Sequence, residues 1–367
     1  MNYSICHIST VHSRYDDRIF LKECLSLVER YEVSLIIADG LGDESKSNIS
    51  IYDIGIRQDS RLKRMRIDTK KAYIKALDLD CHLYHIHDPE LIPIAYKLKK
   101  KNKVVIYDTH EDLPRQIQSK PYINKFSQPF VSLSIELYEN FIARKLDCII
   151  TATPFIKDRF IRTNKNSVDI NNYPIIGELL NPNGTKKEGF CYTGGISEIR
   201  GIYKVVEAFE INKMKLTIAG SFEDEELKRN VEELKGWKHI KYLGQVERIK
   251  VGEVLSSSLA GIVTYLPYPN HIDSQPVKMF EYMSAGLTVI ASDYPLWQQI
   301  IEKNNCGLCV NPLNPKEIAK AVLFFKNNPG KAIEMGNNGI NMIKTKYNWG
   351  IEEKKLLNVY KSLLNDN

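Results

Sequence analysis

The sequence predicts an α/β protein built from two domains. Short apolar segments of strand type alternate with helical segments from the start of the chain, as in 3–8, 21–30 and 33–38. The strand–turn–helix pattern begins again at Gly189, after a stretch rich in turn-forming residues. A chain of 367 residues is long enough for two domains of ordinary size. We therefore expect two β/α/β units joined by a linker.

The composition is that of an ordinary globular protein. Hydrophobic residues make up 43% of the chain and charged residues 26%. The formal net charge of +6 favours anionic partners, whether phosphates, acidic lipid or nucleic acid. No aromatic–basic platform or helix-turn-helix pattern appears, so we expect no nucleic-acid partner. No apolar run reaches the roughly 18–20 residues that span a bilayer.

The cysteines and the first residues both favour a cytoplasmic protein. Seven cysteines are scattered along the chain, and Cys306 with Cys309 forms the only C-x-x-C pair. A four-thiolate zinc site needs a second such pair, so we expect reduced, buried thiols instead. Residues 1–8 read directly as a strand and lack the pattern of a signal peptide.

The most informative stretch runs from Asp273 to Gly286. It reads as a loop that feeds a helix, with Ser274 or Gln275 as the cap, Pro276 at the first helical position and Gly286 closing the helix. On a helical projection Lys278 and Glu281 share one stripe, beside a helix N-terminus that attracts anions. A surface ion pair explains the same spacing equally well.

This stretch resembles the E-x7-E segment of the retaining, nucleotide-sugar-dependent glycosyltransferases of family 4. The form S-x-P-x-K-x-x-E-Y-M is similar to a branch found in bacterial surface-polysaccharide clusters, and the resemblance extends over nearly the whole chain. It implies the GT-B fold, with two Rossmann-like β/α/β domains facing a cleft. The domains expected are an acceptor-side domain at 1–170, a linker at 171–187, a donor-side domain at 188–347 and a C-terminal helix at 348–367.

The resemblance also implies roles for residues of the second domain. Glu281 matches the carboxylate that holds the nucleotide ribose, and Asp273 matches the carboxylate beside the donor sugar, one methylene shorter. The L-G-x-V turn places Val246 at the base. The family's G-R-x(4,5)-K-G clamp has Gly195 where its Arg stands, so Arg200 and Lys278 are expected to supply the charges that stabilise the leaving diphosphate. The expected diphosphate-binding residues are Gly194, Gly195, Arg200, Ser274 and Lys278.

In the first domain the resemblance points to His110. It follows the strand at 104–107, in a loop where α/β sheets bind ligands, and it matches a histidine that meets the donor sugar at the reacting centre. Arg18 and His87 are candidate contacts to the acceptor or a phosphate; a pairing of Arg18 with Asp16 or Asp17 is the structural alternative. His85 and His87 share a strand face, but no H-E-x-x-H helix is present, and we expect no metal site.

A basic run and an aromatic segment predict contact with a membrane surface. The run comprises Lys97, Lys99, Lys100, Lys101 and Lys103, and the aromatic segment follows Pro121. The structural alternative is a solvated helix end together with ordinary core packing. We expect peripheral attachment to acidic lipid on the cytoplasmic face of the inner membrane.

The function predicted is therefore a retaining glycosyltransferase. It would move a sugar from a nucleotide-diphosphate sugar to a lipid-linked saccharide acceptor in polysaccharide synthesis, without a cofactor. Two alternatives are a GT-B sugar-nucleotide 2-epimerase and a nucleotide-sugar-binding protein that has lost activity. Departures from the family pattern at Asp273 and Gly195, and the absence of glycine from 9–18, favour the second of these.

Overall fold

The computed structural model describes residues 3–118, 123–124, 126–179 and 188–365. These form two compact units. The first comprises described residues 3–172 together with 351–365, and the second comprises 173–179 and 188–350. Residues 180–187 of the predicted linker, and Pro121 at the start of the predicted aromatic segment, lie outside the described residues.

The first unit is built on an eight-stranded sheet. Its strands are parallel except for the antiparallel pair β3–β4, and their order is β3-β4-β2-β1-β5-β6-β7-β8. The central strands are buried on both faces, as is usual for parallel sheets covered by helices. The strands are β1 Ser4–Ile8, β2 Glu32–Ile37, β3 Glu44–Lys46, β4 Ile49–Asp53, β5 Leu83–Ile86, β6 Val104–Thr109, β7 Cys148–Thr151 and β8 Ser167–Asp169.

Helical segments connect these strands. Several begin at proline, whose missing N–H costs nothing in the first helical turn. The C-terminal helix Trp349–Leu364 contributes its residues from 351 onward to the first unit. The others are Ile19–Cys24, Leu25–Leu27, Arg61–Lys63, Arg64–Asp68, Thr69–Leu79, Pro89–Leu91, Ile92–Lys99, Leu113–Ile117, Gln128–Ala143 and Pro154–Phe160.

The second unit is a six-stranded parallel sheet in the order β11-β10-β9-β12-β13-β14. This is the doubly wound 3-2-1-4-5-6 arrangement. Phe190, Phe209 and Phe325 are among the largest side chains buried in its core. The strands are β9 Phe190–Thr193, β10 Leu216–Ala219, β11 Ile240–Tyr242, β12 Ala260–Val263, β13 Thr288–Ser292 and β14 Gly307–Val310.

The helices of the second unit cover this sheet. In helix Val277–Ser284 every residue after Val277 is buried, including Lys278 and Glu281. The alternative of a surface ion pair between Lys278 and Glu281 is therefore wrong, and Glu281 pairs with Arg248 instead. The others are Ile202–Asn212, Glu225–Glu232, Lys235–His239, Arg248–Ser256, Pro269–Ile272, Pro295–Ile301, Pro315–Asn327 and Pro329–Thr345.

The start of helix Val277–Ser284 also differs from the expectation. Pro276 is the N-cap, with φ −61° and ψ 127°, and not the first helical residue. Ser274 does not cap the helix, because its hydroxyl donates to the His271 carbonyl at 2.8 Å. Gln275 instead accepts from the Tyr173 hydroxyl at 2.8 Å. The loop before the helix is thus held by its own short turn, and the first helical N–H groups have no side-chain cap.

Within the described residues, no helix is both long enough and apolar enough to cross a bilayer. The seven cysteines are free thiols, six of them buried and Cys309 half-buried.

Candidate functional site

The donor-side residues of the second unit meet at the point where its strand order reverses. β9 lies between β10 and β12, so the connections that leave β9 and β12 depart in opposite directions along the sheet. Such a switch point opens a crevice at the carboxyl ends of the strands, where doubly wound sheets bind ligands. Gly194 and Gly195 follow β9 there, and Thr264 follows β12.

Glycines allow the backbone to approach closely at this point. A Cβ added to Gly220 would lie 2.0 Å from the Gly194 carbonyl oxygen, and one added to Gly201 would lie 2.1 Å from the Thr264 carbonyl oxygen. Gly201 has φ +81° and begins helix Ile202–Asn212, so an L side chain there would be strained as well. The crevice is therefore shaped by backbone that leaves no room for side chains.

Lys278 is a buried cation with no hydrogen-bond acceptor among the described residues. Its Nζ lies 3.8 Å from the centroid of the Tyr192 ring, and its side chain packs against Gly194. Burial lowers the pKa of Lys278 well below its ordinary value, and the nearby Arg200 guanidinium lowers it further. An anion in the crevice would satisfy this ammonium, because a buried donor without a partner is costly.

Arg200 is positioned next to the same glycines. Its guanidinium donates to the Gly195 carbonyl at 3.0 Å, and a Cβ on Gly195 would collide with that guanidinium. Burial, together with the charge of Arg200, lowers the pKa of His271, whose Nδ1–H donates to the Leu266 carbonyl at 3.0 Å. Arg200 and Lys278 thus place two positive side chains at the switch point. Because Gly195 leaves the space that Arg200 occupies, the missing family arginine is explained sterically.

Glu281 lies one turn further along the helix and pairs with Arg248. The Arg248 guanidinium also bonds Glu178 at 2.8 Å, so it bridges two carboxylates. Val246, two residues before Arg248, is half-buried in the turn that follows β11. Asp273 is half-buried directly after helix Pro269–Ile272. Sequence reasoning missed Arg248; its position two residues after the L-G-x-V turn was the only available signal.

In the first unit, histidines form a continuous chain of contacts below the carboxyl ends of β1, β5 and β6. His7 and His87 are joined at 2.9 Å, His87 and His110 at 3.3 Å, and His110 and His12 at 3.2 Å. His12 then meets Asp88 at 3.0 Å. His87 is fully buried, and burial lowers its pKa to about 4. The contact of His87 with an acceptor or a phosphate stays a prediction, and the His87 side chain is enclosed by protein in this structure.

Asp88 fixes the loop that follows β1. It accepts hydrogen bonds from the Ser9 hydroxyl at 2.9 Å and from the Thr10 amide at 2.6 Å. Burial would lower the pKa of His12, but the Asp88 carboxylate raises it above its ordinary value. The Asp88 carboxylate therefore favours the charged form of His12, which lies at the partly exposed end of the histidine chain. Sequence reasoning gave His12 no role.

Arg18 is an internal ion-pair partner and not an exposed contact. It is 3% exposed, and its guanidinium bonds Asp108 at 2.9 Å, Glu23 at 3.1 Å and the Ile170 carbonyl at 2.8 Å. In the structural alternative Arg18 would pair with Asp16 or Asp17; the Asp16 carboxylate instead accepts from the Arg18 backbone N–H at 2.8 Å. Since every side of the guanidinium meets an internal acceptor, Arg18 holds Asp108 in place. Burial would raise the pKa of Asp108, but Arg18 and His110 lower it well below the ordinary value.

His110 retains some contact with solvent, as His12 does. Its side chain is 17% exposed, and its Nε2 lies 3.3 Å from both Asp108 and His87. Asp108 thus orients the His110 ring, and an oriented imidazole is suited to contact a reacting oxygen. The prediction that His110 follows a strand at a ligand-binding edge is consistent with its place after β6 Val104–Thr109.

Comparison with known proteins supports the same family. Residues 181–342 match the family Glycosyl transferases group 1. Sucrose synthase of Denitrovibrio acetiphilus is 31% identical over 83 residues, which is 22% of this chain and only 11% of that protein. The uncharacterized glycosyltransferase MJ1069 of Methanocaldococcus jannaschii is 22% identical over 292 residues, covering 74% of this chain and 71% of that one.

Two solved structures share the whole fold. Sucrose-phosphate synthase of Thermosynechococcus elongatus superposes with a TM-score of 0.81 at 15% identity over 100% of both chains. Anabaena HepE in complex with UDP-glucose gives 0.73 at 13% identity, over 98% of this chain and 100% of that one. The chain therefore has the two-domain α/β fold of GT-B glycosyltransferases, and its match over residues 181–342 supports a group 1 glycosyltransferase.

Proposed function

We propose that the protein is a retaining glycosyltransferase whose donor is a nucleoside-diphosphate sugar bound by the second unit. The observation that carries the proposal is the buried Lys278 ammonium, which has no acceptor among the described residues and lies at the switch point of a doubly wound sheet. A diphosphate supplies the missing negative charge. As the glycosyl bond breaks, charge grows on the diphosphate, and fixed positive groups stabilise it.

We propose the remaining donor contacts from the family resemblance. Arg200 supplies the second charge at the diphosphate, and Ser274 presents its loop to the phosphates. Glu281 accepts hydrogen bonds from the ribose hydroxyls, with Arg248 holding the carboxylate in place. The backbone at Val246 contacts the base, and Asp273 contacts the sugar. Two positive side chains at the diphosphate make a metal unnecessary for this step.

Uridine is the first base to test. The solved HepE complexes contain UDP and UDP-glucose, and HepE shares the fold of this chain. The likeness is one of fold, so the base and sugar remain to be measured on this protein. Calorimetry with UDP, GDP, ADP and CDP identifies the base, and incubation of the matching sugar nucleotides with lipid-linked saccharides identifies the transfer.

His110 acts at the acceptor side of the reaction. Asp108 and the histidine chain orient its ring, so its contact with the acceptor hydroxyl is prepared before substrate arrives. Changing His110 to Ala should lower turnover by orders of magnitude and leave nucleotide affinity nearly unchanged, because the contact matters in the transition state. Near-normal turnover with a lowered melting temperature would remove the catalytic role.

A lipid-linked acceptor fits a second feature of the first unit. Helix Gln128–Ala143 exposes large apolar side chains at a spacing of three and four residues, so they line one face. A contiguous apolar face that is exposed to solvent usually marks a surface that binds a protein, a ligand or a membrane. The side chains are Phe126, Phe130, Leu133, Leu137, Tyr138 and Phe141; we call them the apolar face.

Positive charges border the apolar face. Lys145 lies 5.2 Å from the Phe141 ring centroid, and Lys100 lies 4.5 Å from the Tyr96 ring centroid. Two lysines of the basic run are internally paired, Lys99 with Asp147 at 2.6 Å and Lys103 with Asp80 at 2.7 Å. A surface of anionic lipid is the partner that accepts both apolar side chains and ammonium groups. The apolar face and its bordering lysines support the proposal that the enzyme attaches to the cytoplasmic face of a membrane during transfer.

The decisive experiment measures donor binding and transfer on the same preparation. Wild type should bind one nucleoside diphosphate and transfer sugar with retention at the anomeric carbon, read by NMR of the product. Glu281→Gln keeps the size of the side chain and should weaken nucleotide binding. Failure to bind any nucleoside diphosphate would refute the proposal. Binding without transfer to any lipid-linked saccharide would refute the proposed acceptor.

A further inference from the structure

A second cluster of side chains in the first unit is separate from the donor site. His7 on β1 is the register partner of His85 on β5, and His87 lies one residue beyond the end of β5. Side chains alternate along a strand, so these three imidazoles share one face of the two central strands. Helix Ile19–Cys24 packs over that face and adds Glu23. All four side chains are fully buried.

The two oxygens of the Glu23 carboxylate have different neighbours. Its Oε1 pairs with the Arg18 guanidinium at 3.1 Å. Its Oε2 lies 3.9 Å from His7 Nδ1, 3.9 Å from His87 Nε2 and 4.0 Å from His85 Nδ1. At these distances Oε2 has no hydrogen-bond partner among the described residues, and Oε1 is held only by its ion pair with Arg18. A buried carboxylate oxygen therefore faces three imidazole nitrogens across a gap.

The dimensions of that gap match a metal ion. His7 Nδ1 and His87 Nε2 are 2.9 Å apart, and each lies 3.9 Å from Glu23 Oε2. A point equidistant from three such atoms lies about 2.1 Å from each, close to the length of zinc bonds to imidazole nitrogen and carboxylate oxygen. From these contacts we propose that His7, His85, His87 and Glu23 bind a divalent transition-metal ion, zinc by the chemistry of the donors.

The groups behind the donors suit this assignment. His87 turns its Nδ1 toward Asp108 at 3.5 Å, and His7 turns its Nε2 toward the Tyr360 hydroxyl at 3.1 Å. Metal-bound imidazoles usually direct their second nitrogen to such partners, which fix the ring orientation. His85 Nδ1 contacts the same Tyr360 hydroxyl at 2.7 Å. If His85 is the fourth ligand of the ion, its Nδ1 leaves this hydroxyl, which then bonds His7 alone.

Zinc or a similar ion suits this site better than calcium or magnesium. Three imidazoles and one carboxylate are borderline donors, whereas calcium and magnesium prefer oxygen ligands. A second group, His87, Asp108 and His110, has comparable spacing. Its carboxylate oxygen Oδ2 already bonds Arg18 at 2.9 Å, so it competes less well for a cation. The ion would join β1, β5 and helix Ile19–Cys24, and it would fix His87 behind His110.

The experiment uses the full-length protein stripped of metal with a chelator and titrated with Co²⁺, a spectroscopic probe for zinc sites. We expect one Co²⁺ per chain with visible ligand-field absorption, displacement by one Zn²⁺, and a higher melting temperature with metal. Glu23→Gln and His7→Gln should each lose at least tenfold in Co²⁺ affinity. His239→Gln, a histidine outside the cluster, should bind like wild type.

The variant His110→Gln separates the two candidate groups, because His110 is a donor only in the second. It should keep Co²⁺ binding. Loss of binding in His110→Gln, or binding by the Glu23→Gln and His7→Gln proteins at wild-type affinity, would overturn the assignment. So would wild-type protein that binds no stoichiometric Co²⁺ or Zn²⁺, since the cluster would then be a hydrogen-bonded network alone. None of these measurements uses donor binding or transfer.

Discussion

Lys278 has the least favourable environment of the charged residues at the donor site. Burial and the Arg200 charge both oppose its protonation, and the Tyr192 ring is its nearest favourable contact. A bound diphosphate reverses this balance because it favours the charged amine. Nucleotide binding should therefore take up a proton at Lys278 when the pH lies above the lowered pKa of the free protein.

The prediction at this residue concerns the pH dependence of affinity. Nucleotide affinity should be highest below the lowered pKa of Lys278 and should fall as the pH rises through it, because the neutral amine no longer attracts the diphosphate. The stability of the ligand-free protein depends on pH in the opposite direction. As the pH falls and the buried amine becomes charged, Lys278 lowers the free energy of unfolding. Calorimetry in buffers of different ionisation enthalpy measures the proton uptake.

The variant Lys278→Met should weaken nucleotide binding by roughly 1.5–3 kcal/mol, the range for hydrogen bonds to charged groups. It should also abolish the proton uptake. Lys320→Met, at an exposed residue of helix Pro315–Asn327, is the matched control and should behave like wild type. If Lys278→Met binds with wild-type affinity and the same pH slope, the diphosphate lies elsewhere.

Glu281 and Arg248 should act as one unit at the ribose. Arg248 bridges Glu281 and Glu178, so removing either Glu281 or Arg248 disturbs the same contact. Glu281→Gln and Arg248→Met should each weaken nucleotide binding. The double variant should lose less binding free energy than the sum of the two single losses. Additive effects in calorimetry would show that Arg248 does not orient Glu281.

At the scale of elements, the turn between β9 and helix Ile202–Asn212 depends on a single glycine. Gly201→Ala places a methyl group against the Thr264 carbonyl in a left-handed conformation. We expect a loss of about 1–3 kcal/mol in the free energy of unfolding, the range for local backbone strain, with weaker nucleotide binding. Gly252→Ala is the control, because its added Cβ meets no atom within 4 Å. Alanine favours helix more than glycine does, so this variant should be slightly more stable than wild type. Equal melting temperatures for the two variants would contradict this account.

Helix Gln128–Ala143 is the element predicted to contact lipid. Phe130→Ser combined with Leu137→Ser should reduce flotation with anionic liposomes, since both side chains belong to the apolar face and are more than half exposed. Binding of wild type should weaken in 1 M salt, where screening acts over about 3 Å. Leu41→Ser, at an exposed leucine away from this helix, controls for general effects on solubility. Equal binding of wild type to neutral and anionic vesicles would argue against electrostatic attachment.

At the scale of the whole molecule, the first unit is completed by residues from the end of the chain. Glu352 accepts from the Asn171 amide at 2.8 Å, Lys355 pairs with Asp169 at 3.1 Å, and Tyr360 meets His85 and His7. Leu356 is fully buried in the same segment. Residues more than 180 positions apart therefore determine the stability of one sheet.

Leu356→Ala tests this arrangement. The cavity should cost about 2–5 kcal/mol in the free energy of unfolding, as is usual for leucine truncation in a core. Hydrogen exchange should increase in β1, β5 and β8, while amides of β9–β14 and nucleotide affinity stay as in wild type. Lys361→Ala, exposed on the same helix, should change neither quantity. Faster exchange in the second unit would mean that the two units do not respond independently.

The sequence by itself determined the α/β class, the repetition of the strand–helix pattern and most elements of the second unit. Period-2 and period-3.6 patterns are local, so strands such as β6 and helices such as Pro315–Asn327 follow from a few neighbouring residues. Helical spacing drew attention to Lys278 and Glu281, and resemblance to a family supplied their expected roles and that of His110. Local patterns carried no information on which of these side chains would be buried.

Only the tertiary structure decided the partners of these residues. Helix Val277–Ser284 looked amphipathic because Lys278 and Glu281 share a stripe, yet both side chains are buried, Lys278 against the Tyr192 ring and Glu281 beside Arg248. Arg18 bonds Asp108, 90 positions away, and not its acidic neighbours. His7, Glu23 and His87 come together because β1 pairs with β5 and a helix covers them. Burial and long-range pairing depend on how elements pack together, and that information is absent from any short stretch of sequence.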